Sequence, residues 1–269
     1  PIAQAESQRP LSIVFVWDRC PAVTDEQWQL TLQTLDQLLD QLTYEDHFRV
    51  MSAPHSLPLP GEPLVAADER PVRLAKAFLR SLPDDATGGL LTALSAAIRE
   101  LEDTTHHDRC PVVVLVSSRV TANEQDQMTE FRSLMDSVGK TVPIVSIGIG
   151  SRVNSLCRKL TRVGRGFLET ILPGQNIARA VDRILARLRD TVLTDIELTF
   201  SEEGLVNDVI PNLPPNVFRG IPLVVLGRLN GPEFPSLKLT GRISGKPYEY
   251  QLRPDEVHRL ESEMPLSCL

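Results

Sequence analysis

Polar side chains come directly after two of the most apolar runs in the sequence, and they are the first candidates for chemistry. Asp18 and Cys20 follow residues 12–17, and Ser117 and Ser118 close a run that begins at residue 112. Carboxylate and hydroxyl oxygens can ligate a cation, and a thiol or hydroxyl can act as a nucleophile. The residue types alone leave a metal site, a hydrolase and a partner-binding surface open.

A nucleophilic role requires a base beside the thiol or hydroxyl. No histidine lies near Cys20 in the sequence, and a carboxylate at Asp18 makes a neighbouring thiol harder to ionise. The four cysteines are widely scattered without a C-x-x-C pair, so neither zinc nor a redox motif is indicated. We expect an inert Cys20, keep a hydrolase using Cys20 or Ser118 as an alternative, and slightly favour a reducing, cytoplasmic compartment.

Gly148 and Gly150 follow another apolar run and superficially resemble a nucleotide-binding turn. Val153 stands where the G-x-G-x-x-G pattern requires its third glycine, and the turn does not belong to the first strand–helix unit. The pair therefore predicts a tight turn. No cofactor is expected.

A parallel sheet would bring these residues to one edge. Strands buried on both faces are predicted at residues 12–17, 48–53, 112–117 and 142–147, with a weaker candidate at 166–172. Apolar residues at helical spacing lie at 28–42, 72–82, 91–101, 128–138, 153–163 and 177–188. Strands alternating with helices predict an α/β fold, a doubly wound, Rossmann-like, mostly parallel sheet, whose ligands bind at the carboxyl ends of the strands.

The pattern changes after about residue 192, where short strands are separated by Pro, Gly and Asn and no helix is predicted. We predict a linker over 1–10, an α/β domain over 11–192, a small all-β, sandwich-like module over 193–254, and a tail over 255–269 leading to further chain. A β module of this size is small for an independent sandwich. We expect it to lean on the first domain or to be completed by other segments.

The charges are unevenly distributed. The formal net charge of −7 argues against nucleic acid as a partner, and no apolar run is long enough to predict membrane insertion. Residues 24–46 hold six acids and no Lys or Arg, whereas residues 152–189 hold nine bases against two acids. The basic stretch predicts either solvated helix faces or a dock for an acidic partner, which includes the acidic region of a second copy.

Several segments, in order, resemble the von Willebrand factor A domain family, in the branch of inter-alpha-trypsin-inhibitor heavy chains with an adjoining VIT domain. Residues 13–18 resemble the first strand and its terminal acid, 46–50 the second strand and 147–150 the fifth-strand signature. Three later segments are similar to the β region that follows the A domain in that branch: 192–196, 211–215 and 218–228. The resemblance covers roughly residues 10–245. It implies a divalent cation bound by a D-x-S-x-S motif, a threonine and a T-D-G motif.

This chain keeps the first acid of the implied cation site as Asp18. The other motif positions carry different residues, namely Cys20, Ala22, Leu90, Ser118 and Arg119. A thiol is a poor ligand for a hard cation, and Ala and Leu offer no side-chain ligand. Arg119 would add a positive charge near the place of the cation. We therefore expect a degenerate metal-ion-dependent adhesion site without a metal.

The function predicted from these features is a non-enzymatic protein-interaction or scaffolding module of a larger multidomain protein. Its partner would be another protein or another domain of the same protein, with homo-association possible. The residues expected to bind the partner are Asp18, Arg119, Arg152, Arg158 and Arg162. A metal-dependent adhesion domain with a residual Mg²⁺ site, the hydrolase and a purely structural spacer are the alternatives.

Overall fold

The computed structural model describes residues 9–19, 23–52, 55–56, 64–82, 89–103, 109–118, 129, 133, 142–150, 155–202, 204–218, 220–243 and 246–256. Seven strands form the central sheet: β1 (Leu11–Asp18), β2 (His47–Ser52), β3 (His55–Ser56), β4 (Val65–Ala66), β5 (Cys110–Ser117), β6 (Ile144–Ile149) and β7 (Arg165–Ile171). Their order is β3-β2-β1-β5-β6-β7, with β4 paired to β2.

The sheet is parallel wherever two of its long strands meet. β1 pairs with β2 on one side and with β5 on the other, and β6 and β7 continue the parallel order. The short strands β3 and β4 pair antiparallel with β2 and were not predicted. The predicted α/β fold with a mostly parallel sheet is confirmed.

Within the described residues, five helices cover the sheet: α1 (Asp25–Asp40), α2 (Glu69–Ser81), α3 (Leu90–Asp103), α4 (Ser155–Val163) and α5 (Ile177–Arg189). A capping box begins α1, with Thr24 accepting from the backbone of Gln27. Side chains of β1 alternate between the two faces. Phe15 and Trp17 pack with α1, α2 and α5, whereas Val14 and Val16 pack with α3 and α4. The helix predicted at 128–138 lies almost wholly outside the described residues.

Six further strands follow α5: β8 (Thr191–Phe200), β9 (Val206–Ile210), β10 (Val217–Phe218), β11 (Leu226–Leu229), β12 (Leu237–Ile243) and β13 (Lys246–Leu252). They form two antiparallel sheets, one of order β10-β8-β12-β13 and one of order β11-β9. A single 3₁₀ turn, Pro254–Glu256, ends the described chain. The predicted change from an α/β region to an all-β region is therefore present.

The later strands pack on the edge strand β7. The backbone N–H of Asn216 donates to the carbonyl of Arg165 at 2.9 Å, and the rings of Phe167 and Phe218 meet edge to face at 4.9 Å. Phe218 is buried in the same apolar cluster as α1 and α5. The boundary proposed near residue 192 falls inside β8, and the division into domains stays a prediction. No helix in the described part of the chain is long and apolar enough to cross a membrane.

Candidate partner-binding face

Asp18 and Ser117 meet at the carboxyl edge of the sheet. They are direct partners in the parallel register of β1 and β5, and Ser117 Oγ donates a hydrogen bond to Asp18 Oδ2 at 2.7 Å. Both residues are buried. A buried carboxylate is costly unless hydrogen bonds or charges compensate it. The Ser117 hydroxyl therefore helps to hold this carboxylate in place.

Arg19, for which the sequence suggested no role, is buried at the same edge with 5% of its surface exposed. Its guanidinium carbon lies 5.3 Å from the ring centroid of Trp17 and 4.9 Å from that of Trp28, and the two ring centroids are 4.8 Å apart. A cation over an aromatic face gains about 0.5–2 kcal/mol. The available signal was the order Trp-x-Arg at a strand end, with a second Trp in the first turn of the next helix.

Gly150 allows the start of α1 to approach the end of β6. Its φ is +98°, and a Cβ at this position would lie 2.9 Å from Nε2 of Gln27. Oε1 of Gln27 accepts a hydrogen bond from the Thr24 backbone as part of the capping box. The positive φ favours glycine, and a side chain here would also have to displace the Gln27 amide, which supports the predicted tight turn.

The described residues offer few ligands for a cation at this edge. Leu90 begins α3 and is buried in the cluster that contains Val14 and Val16. The oxygen donors are Asp18, Ser117 and the buried Ser118, and only one of them is charged. Among the described residues, no three or more His, Cys, Asp or Glu side chains are grouped so that they could hold a metal ion. This donor set fits Mg²⁺ poorly, because Mg²⁺ prefers several oxygen ligands with carboxylate charge. Cys20, Ala22 and Arg119 lie outside the described residues.

Much of the basic stretch is already engaged within the chain. Arg183 and Arg187 both donate to the carboxylate of Glu169, at 2.9 and 2.8 Å. The Arg187 guanidinium also lies 5.5 Å from the ring centroid of Phe167. The basic face expected on this helix is consequently smaller than its sequence indicates.

Arg158 and Arg162 are exposed one turn apart on α4, whose buried side chains include Leu156 and Leu160. Asp18 lies on another element, at the buried end of β1. Arg152, the remaining predicted partner-binding base, lies outside the described residues. The exposed basic surface that the structure does describe on α4 is therefore centred on Arg158 and Arg162.

The acidic region predicted as a partner of those bases, residues 24–46, is also partly neutralised. Three of its six acids form ion pairs within the chain, namely Asp36 with Arg80, Asp40 with Lys76 and Asp46 with Arg189. Charge paired in this way is less available to a second copy.

The fold assembled from these elements is that of a von Willebrand factor A domain. A solved structure described as von Willebrand factor type A from Catenulispora acidiphila superposes with a TM-score of 0.63 at 16% identity, covering 90% of this chain and 66% of that one. No protein-family model matches the chain.

The curated homologues of the chain are inter-alpha-trypsin inhibitor heavy chains, which confirms the resemblance found in the sequence. The chain is 23% identical to heavy chain H2 of Sus scrofa over 228 residues, which is 82% of this chain and 24% of that protein. It is 23% identical to heavy chain H4 of Homo sapiens over 248 residues, which is 88% of this chain and 26% of that protein. The chain thus spans about a quarter of the length of these relatives.

Proposed function

We propose that the chain is a non-enzymatic protein-interaction module built on an A-domain fold that works without a divalent cation. Arg19 carries this proposal. It places a side-chain cation at the carboxyl edge of the sheet, one residue along the chain from the only charged oxygen ligand among the described candidates.

The charges around Asp18 support a cation-independent edge. In a typical A domain the bound cation compensates the acid at the end of the first strand. Here the Ser117 hydroxyl donates to Asp18, and the buried Arg19 guanidinium lies against the rings of Trp17 and Trp28, which contact each other. Interaction between charges strengthens where water is excluded. Protein groups can therefore supply the stabilisation that a metal would otherwise give.

Leu90, which packs on the other face of the sheet, also supports a carboxyl edge that works without a cation. A threonine at this position would turn a hydroxyl towards the cation, whereas Leu90 packs with Leu94 and the β1 residues Val14 and Val16. Burying a leucine side chain contributes about 1.5–3 kcal/mol. The position thus contributes to the apolar core instead of to metal binding.

Partner binding would then depend on surface complementarity. The candidate surfaces are the loops at the carboxyl edge and the Arg158 and Arg162 face of α4. The partner would be another protein or another domain of the same protein. The curated relatives are named as heavy chains of an inhibitor, which supports a binding role over an enzymatic one. Nothing in the described part of the chain favours the hydrolase.

Restoring the ligands tests the cation-independent half of the proposal. Isothermal titration of the wild-type chain with Mg²⁺ should give no saturable heat at millimolar concentrations. A variant with Cys20→Ser, Ala22→Ser, Leu90→Thr and Ser118→Asp should bind Mg²⁺ if these positions correspond to the family motif. Saturable binding to the wild-type chain would favour the metal-dependent adhesion domain.

Charge reversal tests the interaction half. Partners captured on the immobilised chain should remain bound in EDTA, because no metal bridge is involved. Arg158→Glu with Arg162→Glu should weaken the capture of an acidic partner, while Arg73→Glu on the exposed face of α2 serves as the matched control. If the α4 double variant and the Arg73→Glu control capture the partner equally, the α4 face is not the binding surface. If the wild-type chain captures no partner, the purely structural spacer is favoured.

A further inference from the structure

A cavity of about 390 Å³ opens between the two small antiparallel sheets that follow α5. Residues of β8, β12 and β13 line one side, and residues in and beside β9 and β11 line the other. Among the residues that the structure describes, none that lines the cavity is charged. Two of the lining side chains remain exposed, Leu226 at 63% and Tyr250 at 46%. The described residues thus leave apolar surface uncovered at this place.

The smaller of the two sheets needs further packing. In the described part of the chain, β9 and β11 pair only with each other. A two-stranded sheet is at best marginally stable in water unless more strands or a helix pack on it. An element that covers the cavity would therefore stabilise the β9–β11 sheet as well as bury its exposed leucine.

The turn directly after β13 has the hydrogen bonds of a helix start. Oε2 of Glu256 accepts from the backbone N–H of Arg253 at 2.8 Å, and the N–H of Glu256 donates to the carbonyl of Arg253 at 3.0 Å. A glutamate that reaches back three residues in this way forms half of a capping box. Pro254 stands between them at the first helical position, which proline favours. The 3₁₀ turn Pro254–Glu256 is thus built as the first turn of a helix.

The sequence after this turn continues a helical pattern. Residues 257–269 lie outside the described residues, so the pattern is the evidence here. Val257, Leu260 and Met264 are separated by three and four positions, which places them on one face of a helix. Pro265 follows at once, and helices usually end before a proline. The pattern predicts an amphipathic helix over about residues 254–264.

The remaining positions of this segment are polar. Arg259 stands four residues after Asp255 and four before Glu263, and opposite charges at this spacing stabilise a helix. Ser262 falls on the side away from the apolar stripe. The segment therefore has one apolar face, which suits the cavity, and one polar face, which suits water.

Its position favours this segment over any separate partner. Leu252, the last residue of β13, lines the cavity, and the helix start at Pro254 follows two residues later. A segment tethered so closely acts at an effective concentration of the order of millimolar, whereas a separate partner binds only at its free concentration. A separate segment of similar sequence would therefore be outcompeted.

We propose that residues 254–264 form an amphipathic helix that folds back over the cavity. Val257, Leu260 and Met264 insert between the two small sheets and cover Leu226 and Tyr250. The cavity is then a docking site for the chain's own segment after β13. This site is separate from the carboxyl edge of the α/β sheet and does not depend on whether that edge binds a cation.

Hydrogen–deuterium exchange of the full chain tests the docking. Amides of residues 257–264 should exchange about tenfold or more slowly than those of an unstructured peptide of the same sequence. Leu226→Lys and Tyr250→Lys, which change only the cavity side, should each restore fast exchange in that segment. Val224→Lys is the matched control, since Val224 is 58% exposed on the same stretch of chain but does not line the cavity. Circular dichroism should show that all three variants remain folded, because the replaced side chains are exposed.

Photo-cross-linking tests which face of the helix docks. Leu260→p-benzoylphenylalanine should cross-link to peptides that contain residues 223–229 or 246–252, as mass spectrometry after digestion would show. Ser262→p-benzoylphenylalanine is the control on the polar face and should give no such cross-link. In an equal mixture of ¹⁵N-labelled and unlabelled chains, every cross-linked pair should carry a single isotopic composition.

Four results would overturn the proposal. The first is fast exchange of residues 257–264 in the wild-type chain, and the second is slow exchange that Leu226→Lys leaves unchanged. The third is a cross-link between labelled and unlabelled chains, which would indicate a second copy as the occupant. The fourth is equal fluorescence of the dye 1-anilinonaphthalene-8-sulfonate on wild type and Leu260→Lys, which would show that the cavity is equally open in both.

Discussion

Arg189 donates hydrogen bonds from both terminal guanidinium nitrogens to the two carboxylate oxygens of Asp46, at 2.8 and 2.6 Å. Asp46 is fully buried and also accepts from the backbone N–H groups of Leu11 and Thr43. One carboxylate therefore joins the start of β1, the loop before β2 and the end of α5. Residues 143 positions apart are tied together at the amino edge of the sheet.

Arg189→Ala should reduce the free energy of unfolding by about 3–5 kcal/mol, because it leaves a buried carboxylate without its charged partner. Urea denaturation followed by circular dichroism measures the change. Arg179→Ala on the exposed face of the same helix is the control and should change stability by about 0.5 kcal/mol or less. Equal effects of the two substitutions would contradict the structural role of the Arg189–Asp46 pair.

The same pair predicts a pH dependence. Burial alone would raise the pKa of Asp46, but hydrogen bonds from Arg189, Thr43 and Leu11, together with the Arg189 charge, hold this pKa below its ordinary value of 3.8. A carboxyl with a lower pKa in the folded state adds stability above the unfolded value, and that stability is lost as pH falls through the folded pKa. The stability difference between wild type and Asp46→Asn should therefore shrink below about pH 4.

Glu100 responds to acid in the opposite direction. Burial raises its pKa, and Arg49 only partly opposes this effect. Protonating Glu100 relieves a cost of burial as the pH falls. Both proteins in the Asp46→Asn comparison keep Glu100, so its contribution cancels in the difference between their unfolding curves. A difference that stays constant down to pH 2 would contradict the lowered pKa of Asp46.

Arg19 gives a spectroscopic prediction, since Trp17 and Trp28 are the two tryptophans of the whole chain. Arg19→Ala should admit water to both rings and shift their fluorescence emission to longer wavelength. It should also reduce the free energy of unfolding by about 1–4 kcal/mol, through the loss of two cation–π contacts. Arg19→Lys should retain part of the stability. Arg158→Ala, an exposed control, should leave the emission unchanged, and an unshifted Arg19→Ala spectrum would contradict the described contacts.

Phe167 and Phe218 test whether the later strands share a core with the α/β sheet. Phe218→Ala should cost about 3–5 kcal/mol of unfolding free energy, because the ring is almost fully buried. A double-mutant cycle with Phe167→Ala should give a coupling of about 0.5–1.5 kcal/mol from the edge-to-face contact. Additive effects, or two separate unfolding transitions, would show that the two parts are stabilised independently.

The sheet could be predicted from sequence because its strands are continuous apolar runs and its helices carry apolar stripes. Strands β1, β2, β5, β6 and β7 lie within a few residues of the predicted positions. The two-residue strands β3, β4 and β10 are too short for any periodicity to show. Within the β region, residues 221–225 are unpaired and β11 is only Leu226–Leu229.

The candidate site was predicted only in part. Asp18 and Ser117 lie together because each ends a strand and the two strands are parallel neighbours. A predicted parallel sheet already places such strand ends at one edge. The position of Arg19 depends on Trp28, which lies on α1 beyond a loop. The sequence shows the Trp-x-Arg order and a second Trp in the next helix, but it does not show that the three side chains meet. Likewise, the pairing of Arg183 and Arg187 with Glu169 depends on how α5 packs beside β7. Tertiary contacts therefore decide which charges are exposed.

Titration of the wild-type chain with Mn²⁺, followed by electron paramagnetic resonance, tests the proposed loss of the cation site most directly. Free Mn²⁺ gives a sharp signal that broadens and is lost when the ion binds a protein site. The proposed function predicts that the free-ion signal remains complete at every ratio of metal to protein. Loss of one equivalent of signal, recovered in Asp18→Asn, would contradict it and establish a cation site at the end of β1.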